Sequence, residues 1–299
     1  MILALTGRGQ RATVLAFAIV SGAVCLWSAE EHNAKGIVTG LDAKKRSLVV
    51  SCEAITGYMD AMEMQFAVRD AKALQPIKLG MTVRFTMVEE NHALYADHLE
   101  VSTAEDYGAE PMQAGGLTAL ETAMDPATKA NIVEPGHPVP DFELTDQTGK
   151  TIRLSDLRGK VVVLTFGYSR CPFPQYCLRL SNNLSEMEKR FKARAGRDLV
   201  FITIAIDPEH DRGAVLSDYA ASFHADPMDW HFLTGPLPLV KQVAGMFGLN
   251  FWSNDGYLTH SLHTAVLDRD GNLVANIEGN HFSAQQLGDL VQTVMNRAQ

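Results

Sequence analysis

VVVLTFGYSRCPFPQYCLRL, residues 161–180, predicts a buried strand, a turn with two cysteines and the beginning of a helix. The run Val161–Phe166 is apolar and rich in β-branched residues, as in strands that are buried on both faces. Cys171 and Cys177 follow it with prolines between them, and a helical period begins near Gln175. The sequence therefore predicts two cysteines on a surface turn where a central strand becomes a helix.

The prolines near these cysteines constrain where the helix begins. A proline keeps the preceding residue out of the α region, so Cys171 and Phe173 are expected to be extended. Pro174 suits the first helical position, which puts Cys177 in or near the first turn. Unpaired amides and the positive end of the helix dipole favour a thiolate there, the form that binds metal or attacks a disulfide. The alternative is that both cysteines are buried structural residues.

The composition is that of a globular protein long enough for two domains. The chain has 299 residues, of which 46% are hydrophobic and 20% charged. A net charge of −9 and the lack of a Lys/Arg cluster argue against nucleic acid as a partner. Four cysteines are too few for a disulfide scaffold, so their positions matter more than their number.

Residues 1–29 are expected to be an export signal peptide or an N-terminal membrane anchor. Arg8 and Arg11 precede the apolar run Ala12–Trp27, as the n-region precedes the h-region of a signal. The run is short for a membrane span, and its bulky last residue is a poor cleavage context, so both outcomes stay open. The export signal predicts a periplasmic protein, with Cys25 lost with the signal or held in the membrane.

Residues 32–102 predict a small all-β domain, an OB-like antiparallel barrel of five strands. Turn residues separate the short apolar runs, and the composition changes to scattered glycine, proline and acidic residues in 103–135, which predicts a linker. The expected strands are Lys35–Leu41, Ser47–Cys52, Met64–Val68, Met81–Val88 and Ala93–Val101.

The stretch CEAITGYMDAMEMQF, residues 52–66, carries the chemistry of this first domain. Met62 and Met64 are two residues apart, so on a strand they share a face. Thioether and thiolate sulfurs are soft ligands that select Cu(I), and Cys52 would supply a thiolate. The spacing alone equally allows methionines that only fill the barrel.

The same stretch resembles the CusF-type periplasmic copper-binding domain, in which a histidine precedes a Met-x-Met pair at the mouth of a five-stranded barrel. The resemblance implies a copper site formed by Cys52, Met62 and Met64, with Cys52 in place of the family's histidine. The tryptophan that caps copper in some family members is absent from this domain. Tyr58 is the candidate substitute for it.

Residues 136–299 predict a second domain with the strand and helix order of a thioredoxin-like α/β fold. After an initial hairpin that turns at Gly149, strands and helices alternate, and a second hairpin precedes the last helix. The expected elements after the cysteine turn are Leu199–Ile206, Arg212–Phe223, Trp230–Gly235, Pro238–Phe247, His260–Leu267, Asn272–Glu278 and Phe282–Asn296.

This second domain is similar to the Sco/SenC family of copper-handling thioredoxin-like proteins. The resemblance implies one copper ion bound through Cys171, Cys177 and His260. Five residues separate the two cysteines where the common family motif has three. Two thiolates and one imidazole suit copper and also zinc, so copper rests on the resemblance and on the methionine-rich first domain. The matching stretches are Gly159–Val163, Gly167–Pro172, Ile206–Asp211, Trp230–Gly235 and His260-Ser261.

Two functions follow from these expectations. The first is a copper metallochaperone that passes copper to a cytochrome c oxidase copper-site subunit or another periplasmic copper protein, as the Sco/SenC resemblance implies. The second is a thiol–disulfide oxidoreductase in which Cys171 and Cys177 are catalytic and react through a mixed disulfide. Asp207 is expected either to orient the copper region or simply to form the turn before Pro208.

Overall fold

The computed structural model describes residues 30–102, 131–173, 175–254 and 256–297. The predicted signal or anchor, Cys25 and most of the predicted linker lie outside the described residues. Within those four ranges, no helix has the length and apolar character needed to cross a bilayer.

Five strands close the predicted barrel in the order β1-β2-β3-β5-β4. The short apolar runs pair with antiparallel neighbours, except that β3 and β5 run parallel, which corrects the all-antiparallel expectation. β3 begins two residues earlier than predicted and therefore carries both methionines of the Met-x-Met pair. The strands are β1 (Glu30–Asp42), β2 (Ser47–Cys52), β3 (Met62–Ala67), β4 (Thr82–Glu90) and β5 (Ala93–Val101).

The second domain contains a seven-stranded sheet in the order β14-β13-β8-β9-β10-β6-β7 and a separate two-stranded sheet, β11-β12. Its strands are β6 (Glu143–Asp146), β7 (Thr151–Arg153), β8 (Val161–Gly167), β9 (Leu199–Ala205), β10 (Trp230–Thr234), β11 (Phe251–Asn254), β12 (Tyr257–His260), β13 (His263–Leu267) and β14 (Leu273–Glu278). Its helices are α1 (Cys177–Arg190), α2 (Gly213–Ser222), α3 (Leu237–Met246) and α4 (Ala284–Asn296).

The parallel strands β8, β9 and β10 form the centre of the sheet, and every residue of β8 and β9 is buried. Parallel strands covered on both faces have such uninterrupted apolar sequences, because neither face contacts water. Alternate side chains supply the two cores, with Val163 and Phe201 on one side and Leu164 and Ile202 on the other. The cysteine turn therefore lies at the carboxyl edge of a rigid sheet.

The structure corrects two boundaries near the predicted metal ligands. Helix α1 begins at Cys177 rather than at Pro174, because Tyr176 has non-helical backbone angles and its amide closes a turn onto the Phe173 carbonyl. The predicted strand His260–Leu267 is interrupted after His260. That histidine ends β12, the second strand of a hairpin that the periodicity did not reveal.

Candidate metal centre

Cys177 and His260 come together at the carboxyl edge of the sheet. Cys177 is the first residue of α1 and His260 is the last residue of β12, and the distance from Sγ to Nε2 is 3.9 Å. The Nδ1–H of His260 donates to the Ser261 carbonyl at 2.7 Å, so the lone pair is on Nε2, beside the sulfur. Burial lowers the pKa of His260, which keeps the ring neutral. A neutral imidazole held in one tautomer is the form that binds a metal.

Tyr168 holds the hairpin that carries His260. Its ring is buried and lies edge-on to the imidazole, with 5.8 Å between centroids. Its hydroxyl donates to the Leu258 carbonyl and accepts from the Leu258 amide, both at 3.3 Å. Because Tyr168 directly follows β8, these two bonds tie β12 to the central sheet.

We expect Tyr168→Phe to weaken copper binding at this site by about tenfold, because the supporting partners of metal ligands typically contribute 10–100-fold. The phenyl ring keeps the edge contact with His260 but leaves both Leu258 groups without the hydroxyl. The measurement is competition for Cu(I) against a chromogenic chelator. Urea unfolding serves as the control and should show a loss of only about 1 kcal/mol. An unchanged copper affinity would contradict the positioning role of Tyr168.

The two thiols of the turn have opposite pKa shifts. Cys52, Cys171 and Cys177 are all free thiols. A hydrogen bond between the two thiols lowers the pKa of Cys171 to about 6, and the same hydrogen bond together with burial raises the pKa of Cys177 well above its usual value. These shifts run against the expected thiolate at Cys177, because the pairing with Cys171 and burial outweigh the helix dipole. Cys171 is therefore the more acidic thiol of the pair.

An ion pair at Arg170 and a hydrogen bond at Ser169 hold the turn before Cys171. Arg170, which directly precedes Cys171, donates to Asp207 Oδ2 through Nε at 3.1 Å and Nη2 at 2.6 Å. Asp211 accepts the Ser169 amide at 2.9 Å. The Asp207 carbonyl also accepts two amides of its own turn, so Asp207 forms the turn, and a role in orienting the copper region stays a prediction.

Cys177 is central to the predicted ligand set, because it contacts His260 and pairs with Cys171. Cys171 Sγ in turn lies 3.6 Å from the Phe173 carbonyl oxygen. Nowhere in the described part of the chain do three His, Cys, Asp or Glu side chains already stand together at metal-binding geometry. The structure thus brings the three predicted residues together as two pairs that share Cys177: one pair with His260 and one with Cys171.

In the barrel, the predicted ligands lie side by side on two strands. Cys52 pairs directly with Met62, and Val50 with Met64, so all four share the inner face near one end of the barrel. Cys52 is 1% exposed and Met62 is 48% exposed. Burial, assisted by the charge of Glu53, raises the pKa of Cys52 to about 12. A metal ion would therefore have to displace the proton of this thiol.

Two residues of the loop that joins β2 to β3, Tyr58 and Met59, lie near this end, and both stood out in the sequence. Tyr58 stacks on His32 of β1, with 3.8 Å between the ring centroids, and a role as copper cap stays a prediction. Met59, half-buried, packs against the apolar core of the barrel. Met59 lies three residues before Met62, so the sequence already showed a third thioether in this cluster.

Both halves of the chain match known protein families. The model of the SCO1/SenC family matches residues 132–296, and that of the copper binding periplasmic protein CusF matches residues 31–100. The SCO2-like protein RT0576 of Rickettsia typhi is 28% identical over 53% of this chain and 79% of its own length. The human mitochondrial SCO2 homolog is 28% identical over 52% of this chain and 59% of its own length.

Among solved structures, Arabidopsis thaliana ScoI with copper bound is 26% identical, with a TM-score of 0.46, over 53% of this chain and 98% of its own. The CusF match supports copper as the metal. The SCO1/SenC model covers more than half of the residues and includes the cysteine turn and His260. The chain therefore belongs to the SCO1/SenC family, with a CusF-like domain fused ahead of the thioredoxin-like one.

Proposed function

We propose that this chain is a periplasmic copper metallochaperone with one copper site in each domain, and that it supplies copper for cytochrome c oxidase assembly. The observation that carries the proposal is the pairing of Cys177 with the neutral, tautomer-fixed imidazole of His260, with Cys171 hydrogen-bonded to Cys177. The sulfur donors are soft, and Cys171 and His260 are partly exposed while Cys177 is buried, so a cargo ion can be reached from the Cys171 and His260 sides.

The second site consists of Cys52, Met62 and Met64 at the end of the barrel. Thioethers are neutral, so they bind Cu(I) without adding charge, and the single thiolate balances the charge of the ion. We propose that residues 32–102 hold Cu(I) and residues 136–299 pass it on, joined by a linker at 103–135. We further propose that residues 1–29 export the chain, either as a cleaved signal or as a tether to the inner membrane.

Copper stoichiometry on the reduced, anaerobic chain tests this proposal. We expect two copper ions per chain. Cys171→Ala, Cys177→Ala or His260→Ala should remove one ion, and the double variant Met62→Leu, Met64→Leu should remove the other. Transfer from the loaded chain to a soluble oxidase copper-site domain tests delivery. A chain that binds no copper in its second domain would contradict the proposal.

A second function is favoured by one observation, the pairing of the free thiols of Cys171 and Cys177 by a hydrogen bond where the helix begins. In this alternative the chain is a thiol–disulfide oxidoreductase acting on cysteines of a copper-site partner. The Cys171 thiolate attacks the partner disulfide and expels one partner thiolate, and Cys177 then attacks the mixed disulfide. The partner gains two electrons and Cys171 and Cys177 become a disulfide. Two results together would favour this function: the parent chain transfers no copper, and Cys171→Ala no longer reduces the partner disulfide.

A further inference from the structure

Helix α4 connects the two copper-handling domains. It packs against β1 and β2 of the barrel as well as against α1 of its own domain. Ile37 on the outer face of β1 is 1% exposed and belongs to the same buried apolar cluster as Leu287 and Val291 of α4. The barrel is therefore docked on the thioredoxin-like domain through an apolar contact.

Strand alternation relates this contact to the predicted barrel site. Ile37 pairs with Ser51, and Ser51 pairs with Glu63, which gives one row of residues on the outside of the barrel. The adjacent pair is Cys52 and Met62, whose side chains point to the opposite face. Two residues of the docked outer row are thus direct neighbours in sequence of two predicted barrel ligands: Ser51 precedes Cys52, and Glu63 follows Met62.

Side chains of α4 bond to the residues that directly precede these two ligands. The Ser51 hydroxyl donates to Asp289 Oδ2 at 2.7 Å, and the Ser51 carbonyl accepts from Gln286 Nε2 at 3.1 Å. The carbonyl of Ala61 accepts from Gln285 Nε2 at 3.0 Å. Together these bonds fix the end of β2 and the beginning of β3 against one helix.

The helix end that makes these bonds is itself firmly held. Ser283 and Gln286 form a capping box at the N-terminus of α4, so Gln286 serves the helix and the barrel at once. Arg190, the last residue of α1, donates to Asp289 Oδ1 at 2.7 Å and to the Gln285 carbonyl at 3.1 Å. The side chain of Asp289 thereby contacts both the barrel and α1, the helix that begins at Cys177.

A close approach of the two backbones supports the docked arrangement independently of α4. Gly80 in the loop before β4 has φ of +79°, and a Cβ there would lie 2.4 Å from the Cβ of Ala275 on β14. Only glycine permits both the conformation and the contact, so the sequence at this position fits a docked barrel.

We propose that α4 is an intramolecular docking surface for the copper hairpin, residues 51–63, and that docking and copper binding in the barrel stabilise each other. The inference rests on the proposed function, since it takes copper to be held by Cys52, Met62 and Met64. Docking fixes the backbone next to the ligands before copper arrives, which removes part of the ordering cost of binding. By linkage, copper in the barrel tightens docking by the same factor.

The test is a Cu(I) competition titration of the full chain carrying Cys171→Ala and Cys177→Ala, so that the barrel site is measured alone. Two docking variants are compared with this parent. One carries both Gln285→Ala and Asp289→Asn, and the other carries Gly80→Asn. We expect the barrel Kd for Cu(I) to rise at least about fivefold in both, the lower end of typical coupling. Asparagine tolerates a positive φ, so Gly80→Asn acts mainly through the clash with Ala275.

Each docking variant has a matched control. Gln292→Ala lies on the same helix but loses only a bond to Asn296, and Gly149→Asn has a positive φ with open space around its Cβ. Both should keep the parent Kd. Circular dichroism and the count of bound copper show that each variant is folded. Hydrogen exchange adds the reciprocal measurement, since copper should slow exchange at Gln285 and Gln286 in the parent.

The outcomes separate this inference from the function on which it rests. A parent that binds no copper in the barrel shows that the proposed barrel site is wrong. If the parent and both docking variants bind copper with the same Kd, and copper leaves hydrogen exchange in α4 unchanged, the linkage is wrong but the barrel site stands. Weaker binding in the controls as well would also overturn it, because the effect would then not depend on docking.

Discussion

His260→Ala is expected to lower the affinity of the thioredoxin-like domain for copper by more than about 100-fold. Residues that merely support a ligand contribute 10–100-fold, so loss of the imidazole itself should exceed that range. The half-buried ring closes one side of the Cys177 sulfur, and no other nitrogen ligand is predicted for this site. The measurement is a Cu(I) competition titration in the Met62→Leu, Met64→Leu background, in which only the second domain binds.

His137→Ala is the matched control, because His137 is an exposed histidine of the same domain. Its removal should leave the copper affinity unchanged, and both variants should unfold at a similar urea concentration. Retention of the parent affinity in His260→Ala would exclude the 3.9 Å pair as the core of the site.

Cys177→Ala is expected to make Cys171 nearly unreactive at neutral pH. The hydrogen bond from Cys177 is the largest cause of the pKa of about 6, so its loss should return the pKa of Cys171 toward 9.0. When the pKa of a thiol rises, its thiolate fraction falls at every pH between the old and the new pKa. At pH 7 the thiolate fraction should fall from roughly nine tenths to roughly one hundredth. The rate at which iodoacetamide alkylates Cys171 between pH 5 and 10 measures this thiolate fraction. The rate is followed by mass spectrometry of the Cys171 peptide.

Cys52→Ala serves as the control, because a buried thiol with a pKa of about 12 contributes little to alkylation. It should leave the Cys171 profile in place. A midpoint that stays near 6 in Cys177→Ala would show that the thiolate depends on the helix terminus instead of the second thiol. In that case the opposite shifts of the two cysteines would need another cause.

Much of the architecture was predictable because two simple patterns repeat along the chain. The continuous apolar runs at Val161–Phe166 and Leu199–Ile206 could satisfy their backbones only as central buried strands, and both are. Five short runs separated by turns gave the barrel, although the predicted third strand began at Met64 and missed Met62. The family comparisons confirm both folds.

The missed features depend on contacts between distant residues. The hairpin β11–β12 has a turn signal, Asp255-Gly256, but its strands are only four residues each, too short for periodicity to identify. The opposite pKa shifts of Cys171 and Cys177 required the burial of Cys177, which the prolines around it did not indicate. The docking of the barrel on α4 depends on Ser51, Gln285 and Asp289, ordinary surface residue types in the sequence.

The position of His260 on a separate hairpin has a consequence for how long copper stays bound. A two-stranded sheet is only marginally stable by itself, and this one is fastened to the domain by the hydroxyl of Tyr168 and by Phe251, which is buried in the core. Local opening of such an element needs far less free energy than unfolding of the core. We expect local opening to move the imidazole away while both sulfurs stay on the turn. The residence time of a bound copper ion would then follow the opening rate of this hairpin, so that tight binding and quick release are compatible.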